Sequence, residues 1–361
     1  METNKFIHEL IYKMKPIQNI IHEFLKNEEF EEDNFQKLIY YNNSQKISSN
    51  PKELKLLLHL ISKFSNNHHR THNFFVKIGR ILTFYQSEIK NFFTNFEIFD
   101  IFKNNKRILL FLFEEKIVIP GIYIYYVISS DSYKEKDYPQ YLMTEFEAFF
   151  HDKKEKEETF EQKRRIGEND DNLCQIIRND SKDEFVRYVN ENHLSLSETT
   201  IKPSIYETNS ILIKTNPTLI EYSAFFGSIE IFKYLLLNKV DVRPILWLYS
   251  IHGDNVEMIH LLEENQVEPP KNSYVECYKE SIKCNHIEIM NYIHDKYLQN
   301  EKDNLLLFNL QFYNFEKLSE IDDFEVESKS DLFFDFCKYD YYQIVDFILK
   351  NTEMNINTKR I

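Results

Sequence analysis

The sequence predicts an all-α helical-repeat solenoid preceded by a helical N-terminal region. A segment at 218–241, T-L-I-E-Y-S-A-F-F-G-S-I-E-I-F-K-Y-L-L-L-N-K-V-D, recurs in weaker copies about every thirty residues, a period that marks stacked supersecondary units. Within each copy, two short apolar runs at helical spacing flank a turn slot, and one such unit cannot bury its own apolar face. The first 150 residues carry the same helical periodicity.

Taken in order, segment 4–30 sets Phe6, Ile7, Leu10, Ile11, Met14, Ile17, Ile20, Ile21, Phe24 and Leu25 on one helical face. Pro16 either kinks that helix or starts a second one. After the polar stretch 42–50, Asn50 is a cap, Pro51 suits the first helical position, and Glu53 sits where a capping box places a carboxylate. Leu54, Leu57, Leu58, Ile61 and Phe64 form the apolar face that follows. A polar turn at 65–72 precedes an amphipathic run over 74–93. Residues 104–113 resemble the second half of a degenerate repeat, and Pro120 starts the next helix. Segment 117–128 has strong β propensity, but its neighbours favour helix. Residues 151–172 are almost wholly charged and read as a solvated helix or flexible linker. The expected organisation is a helical region 1–150, a charged linker 151–172, a repeat array 173–350 and a tail 351–361.

The copy at 218–241 resembles the ankyrin repeat, slot by slot. Thr218 begins the first helix, Ser223 and Ala224 are its small pair, and Gly227 is the turn. Glu230, Ile231, Phe232, Leu235 and Leu236 supply the second helix, and Asp241 and Val242 the loop exit. The same frame puts further turn slots at Asp254, Asn285, Tyr313 and Asp340, spaced 27, 31, 28 and 27 residues. Asp180 is the slot upstream, 47 residues before Gly227, so that unit carries an insertion near 195–215. The match is incomplete. Leu219 and Glu221 stand where the family has Pro and His, glycine fills one turn slot only, and spacings below roughly 33 imply shortened loops. The wording at 201–204 (I-K-P-S) and 246–249 (L-W-L-Y) resembles a divergent ankyrin family expanded in a parasitic protist lineage, whose members have no assigned chemistry. The resemblance implies an ankyrin-type solenoid acting as an intracellular protein-binding scaffold.

Composition excludes several classes. The 361 residues hold 44 basic and 58 acidic side chains, a net charge of −14. The charge is uneven: 25 basic against 24 acidic in 1–165, but 19 against 34 in 166–361. An acidic half repels nucleic-acid phosphates and favours a basic protein surface. Gly79, Gly121, Gly167, Gly227 and Gly253 are too far apart for a phosphate-cradling loop. The most apolar stretch, 108–128, has Glu114, Glu115 and Lys116 at its centre, against membrane insertion. Cys174, Cys277, Cys284 and Cys337 form no C-x-x-C pair and read as reduced thiols. With no cleavable signal, the expected setting is intracellular and cytoplasmic, with the nucleus left open.

No catalytic, cofactor or metal ligand set is legible. His68, His69 and His72 form the tightest cluster, and His68 and His72 could share a metal on one helical face. No third ligand lies near in sequence, so a solvated turn is expected. His8–Glu9 and His22–Glu23 lack the second histidine of a zinc-protease motif, with Tyr12 and Lys26 in its place. Cys277 and Cys284 have no triad partners in view. Lys153, Lys154, Lys156, Lys163, Arg164 and Arg165 are interleaved with glutamates, which neutralise most of that basic run. Glu320, Asp322, Asp323, Glu325 and Glu327 read as an exposed acidic loop.

In ankyrin proteins the residues just before each turn slot face a concave groove. Here they are Phe225, Phe226, His252, Lys283, Phe312 and Tyr339, either partner-binding anchors or, for one of each pair, core residues. The expected function is non-catalytic protein binding through this face and the loop tips. The alternative is an adaptor that recruits a ubiquitin ligase or kinase through 1–150 and holds its substrate on the repeats. A hydrolase built on the histidine cluster is a third class. Oligomeric state stays open.

Overall fold

The computed structural model describes residues 2–27, 32–71, 73–134, 136–149, 158–299, 305–324 and 330–351. Among these residues the fold is all-helical, and the one extended pairing is an isolated antiparallel bridge between Thr200 and Thr218. The chain forms two compact units. One draws on Met1–Phe64, Thr71–Phe92 and Glu301–Ile361, the other on Ser65–Arg70 and Phe93–Asn300. The helices after 301 group with those before 64.

In the first unit, Glu2–Lys26 is one helix with Pro16 inside it. The buried residues Ile7, Leu10, Ile11 and Met14 precede the proline, and Ile17, Ile21, Phe24 and Leu25 follow it. Burial of both halves of that stripe outweighs the about 3 kcal/mol cost of an interior proline. The helix packs on Glu32–Gln45, Phe74–Phe84, Phe315–Leu318 and Tyr342–Asn351. Polar contacts fix the pairing: Lys15 with Glu316 at 2.9 Å, and the buried Gln18 Oε1 accepting the Phe315 N–H at 2.7 Å. Pro51–Asn67 begins as its sequence indicates, with Asn50 Oδ1 accepting the Lys52 N–H at 3.0 Å. The amphipathic run 74–93 is two helices, Phe74–Phe84 and Gln86–Phe92, divided at the buried Tyr85.

The second unit is built largely of helical hairpins. They are Asn95–Phe102 with Lys106–Glu114, Asn172–Arg178 with Lys182–Glu191, Leu219–Phe225 with Ile229–Leu237, Leu246–His252 with Val256–Glu264, and Val275–Cys284 with Ile287–Tyr297. From the second hairpin on, each first helix packs on the next first helix. The second helices Lys182–Glu191, Ile229–Leu237 and Val256–Glu264 pack on one another in the same way.

Two expectations are corrected in this unit. Segment 117–128 is helical only over Ile122–Ile128, where Ile124 and Ile128 are buried one helical turn apart and Tyr123 and Tyr126 are exposed. Residues 117 and 118 instead close the preceding helix, both N–H groups donating to Leu112 O. The charged stretch is not a loose linker where it is described. Residues 151–157 lie outside the described residues, but Glu158–Ile166 is a helix whose Arg164 is buried, paired with Glu145 at 2.8 Å and with Glu161. No helix among the described residues is long and apolar enough to cross a membrane.

Candidate functional site

The ends of the first helices, where the sequence places its binding residues, share one backbone device. Asp180, Gly227, Asp254, Asn285, Tyr313 and Asp340 all have positive φ, at 50°, 71°, 47°, 58°, 55° and 58°. These are the turn slots of the repeat frame. In five of them the next N–H donates to the carbonyl five residues back: Ser181 to Ile176, Ser228 to Ser223, His286 to Ser281, Asn314 to Asn309 and Tyr341 to Phe336. This left-handed cap satisfies carbonyls that a helix end would otherwise orphan. Second helices close likewise at Lys116, His193, Lys239 and Gln266, each followed by an apolar residue, Ile117, Leu194, Val240 or Val267.

Asp and Asn enter this conformation at modest cost, which is why glycine is dispensable at most slots. Gly227 is different. A Cβ there would lie 2.8 Å from Gly253 O, and one on Gly253 would lie 2.2 Å from Ala224 O. Close approach of two first helices, more than φ, demands glycine at this pair.

Neighbouring hairpins are also bonded alike. The side chain just after the turn slot donates to a carbonyl of the preceding hairpin. Ser228 Oγ reaches Ile177 O at 2.6 Å, His286 Nδ1 reaches Ile251 O at 2.7 Å and Tyr341 Oη reaches Leu310 O at 3.0 Å. Asp180 further accepts the N–H groups of Glu230 and Ile231, both at 2.9 Å, capping the next hairpin's second helix.

The six candidate residues are divided by the fold. Phe225, Phe226 and His252 are interior, at 4%, 9% and 2% exposure. Phe225 stacks on His252 with centroids 4.9 Å apart, and Phe226 packs on Tyr222 and under the Arg178 guanidinium. Lys283 is half-buried and bonds Glu280 at 2.8 Å. Phe312 and Tyr339 belong to the first unit, also half-buried, with Lys63 Nζ 5.8 Å from the Phe312 ring and Tyr339 O accepting the Tyr313 hydroxyl.

The polar segment at 65–72 is not a solvated turn. His72 lies outside the described residues, but His68 and Arg70 are buried. Arg70 donates to Glu207 Oε1 at 3.0 Å and to Thr208 Oγ1 at 2.9 Å, so the insertion near 195–215 supplies the counter-charge. Asn105 Nδ2 holds Ser65 O at 2.8 Å, Asn209 Nδ2 holds Asn66 O at 3.3 Å, and the His68 ring meets His286 edge-on at 5.1 Å. His69 Cε1 lies 3.6 Å from the place a Gly227 Cβ would take. The chain's own residues therefore sit against the first-helix ends.

One cluster was not legible in the sequence. Cys284 Sγ lies 3.4 Å from His252 Nδ1, 3.7 Å from His252 Nε2 and 4.0 Å from Glu280 Oε1, and His252 Nε2 contacts Glu280 Oε1 directly. His252 ends one first helix, and Glu280 and Cys284 end the next. The available signal was that all three lie within five residues before the turn slots 254 and 285. Burial lowers the His252 pKa, against the pull of Glu280. Burial pushes Glu280 up, but His252 and Lys283 outweigh it and hold the carboxyl at about 2. Burial raises Cys284 well above its ordinary value, and takes Cys174 and Cys277 to about 12. A thiol held so is protonated at neutral pH, whereas nucleophilic attack needs the thiolate.

No family model, no curated protein and no solved structure matches this chain at a significant level.

Proposed function

We propose that this chain is a non-catalytic protein-binding scaffold whose hairpins stack as an ankyrin-type solenoid. The observation that carries the reading is the recurring left-handed turn with its bond to the preceding hairpin, Ser228 to Ile177, His286 to Ile251 and Tyr341 to Leu310. Units joined to their neighbours in this way make an extended surface rather than an enclosed pocket, and such surfaces serve macromolecular partners. The acidic bias of 166–361 favours a basic partner.

Burial of Phe225, Phe226 and His252 moves the contact surface to the loop tips. The tip after Ile229–Leu237 exposes Leu237, Val242 and Ile245. Arg243 anchors it, bonding Glu221 through Nε at 2.9 Å and through Nη2 at 2.6 Å. Glu221 is held in turn by its capping box with Thr218. A pre-ordered apolar tip loses little entropy on binding. The adaptor reading needs arms that part at 151–170. The helices after 301 share a unit with those before 64, which favours the scaffold reading over it.

The test is affinity capture with the intact chain and with a Leu237→Asp, Val242→Asp, Ile245→Asp variant of unchanged circular dichroism. A basic partner held by the first, released by salt and lost by the second supports the reading. Equal capture by both removes the tip as the site.

A further inference from the structure

We propose that His252, Glu280 and Cys284 form a binding site for one transition-metal ion of the zinc class, with water as fourth ligand. Their candidate donor atoms, an imidazole nitrogen, a carboxylate oxygen and a thiol sulfur, all lie within 4.8 Å of one another. Zinc bonds of about 2.3 Å to sulfur and about 2.0–2.2 Å to nitrogen and oxygen place tetrahedral donors roughly 3.3–3.7 Å apart. The sulfur already stands 3.7 Å from His252 Nε2 and 4.0 Å from Glu280 Oε1. Only the direct His252–Glu280 contact is too close. To admit the ion these two side chains part by about 1 Å and exchange their mutual bond for bonds to the metal, and Cys284 gives up its thiol proton to solvent as the sulfur binds.

The surroundings have the features of a held ligand set. Cys284 and His252 are buried, while Glu280 keeps some exposure and gives the ion its way in. Phe225 stacks on the imidazole and fixes its plane, and Lys283 Nζ bonds the same Glu280 Oε1 at 2.8 Å, a contact the ion would share. Such outer contacts orient ligands in metal sites. A sulfur–nitrogen–oxygen donor set selects zinc and cobalt over magnesium and calcium, which take oxygen alone. The ligands come from two successive first helices, Leu246–His252 and Val275–Cys284, so a bound ion cross-links two hairpins.

The experiment is titration of the metal-stripped full chain with Co(II), read by absorbance, then displacement by Zn(II). A tetrahedral d–d spectrum with a sulfur-to-cobalt charge-transfer band, saturating at one ion per chain, is expected. Cys284→Ser abolishes the charge-transfer band, and Cys277→Ser and Cys337→Ser leave it intact. Glu280→Gln, a near-isosteric change at the least buried ligand, weakens binding at least tenfold without loss of circular dichroism. Zn(II) raises the melting temperature of the unaltered chain more than that of Glu280→Gln. The proposal is overturned if the unaltered chain gives no sulfur-to-cobalt band. It is equally overturned if the band survives Cys284→Ser, or if Glu280→Gln binds as tightly as the parent.

Discussion

The hairpins at 219–284 and those made by Leu306–Phe312 with Phe315–Leu318 and by Ser330–Lys338 with Tyr342–Asn351 use one turn with opposite packing. In the first region two glycines and an alanine let helices meet at backbone distance, with Gly253 against Ala224 O and Gly227 against Gly253 O. In the second, the slot holds Tyr313, a bulky residue in a conformation that favours glycine. The tyrosine stays there because its ring is buried between His59 and Tyr341, with centroids at 5.5 Å and 5.2 Å. Burial of an aromatic ring outweighs the roughly 1–2 kcal/mol of left-handed strain. What recurs is the backbone, and each region fills it by its own means.

The largest effects should come from removing the rings. Tyr313→Ala and Phe225→Ala should each cost about 3–5 kcal/mol in urea unfolding, because both empty a packed interior site. A loss below about 1 kcal/mol for Phe225→Ala would place its ring in solvent and return it to the binding surface. Breaking the buried Arg70–Glu207 pair, whose side chains are 3% and 2% exposed, comes next. Arg70→Met should cost about 3 kcal/mol by stranding the carboxylate, and adding Glu207→Gln should recover part of it.

A swap at the turn slots sharpens the comparison further. Gly227→Asn should cost about 2 kcal/mol in thermal or urea unfolding, since it adds a clash with Gly253 O to the strain. Asn285→Gly, at a similar φ, should change stability by less than about 1 kcal/mol. Equal costs would mean that φ alone sets the residue. The smallest effect belongs to Asp180→Asn, which keeps the turn but weakens the cap on Glu230 and Ile231, by about 0.5 kcal/mol.

All six turn slots were legible in the sequence, as were the Asn50 and Thr218 helix starts. These are local features. A cap, a left-handed residue and an apolar stripe depend on residues three to five apart, and a helix repeats them faithfully. Two local readings missed a buried arginine for one reason. The charged helix Glu158–Ile166 and the segment 65–70 look solvated, yet Arg164 and Arg70 are buried because carboxylates from elsewhere neutralise them. Composition records the charge but not its partner.

The sequence by itself determined that this protein is helical, where its hairpins turn, and that its second half is acidic. Each of those follows from residue type and short-range spacing. Tertiary structure alone decided that Phe225 and His252 face inward, that Arg70 meets Glu207 across 137 positions, and that Cys284 meets His252. Those contacts depend on how one hairpin registers on the next, through loops whose lengths vary from hairpin to hairpin. Register of that kind is set by packing over the whole unit, and no local pattern in the chain records it.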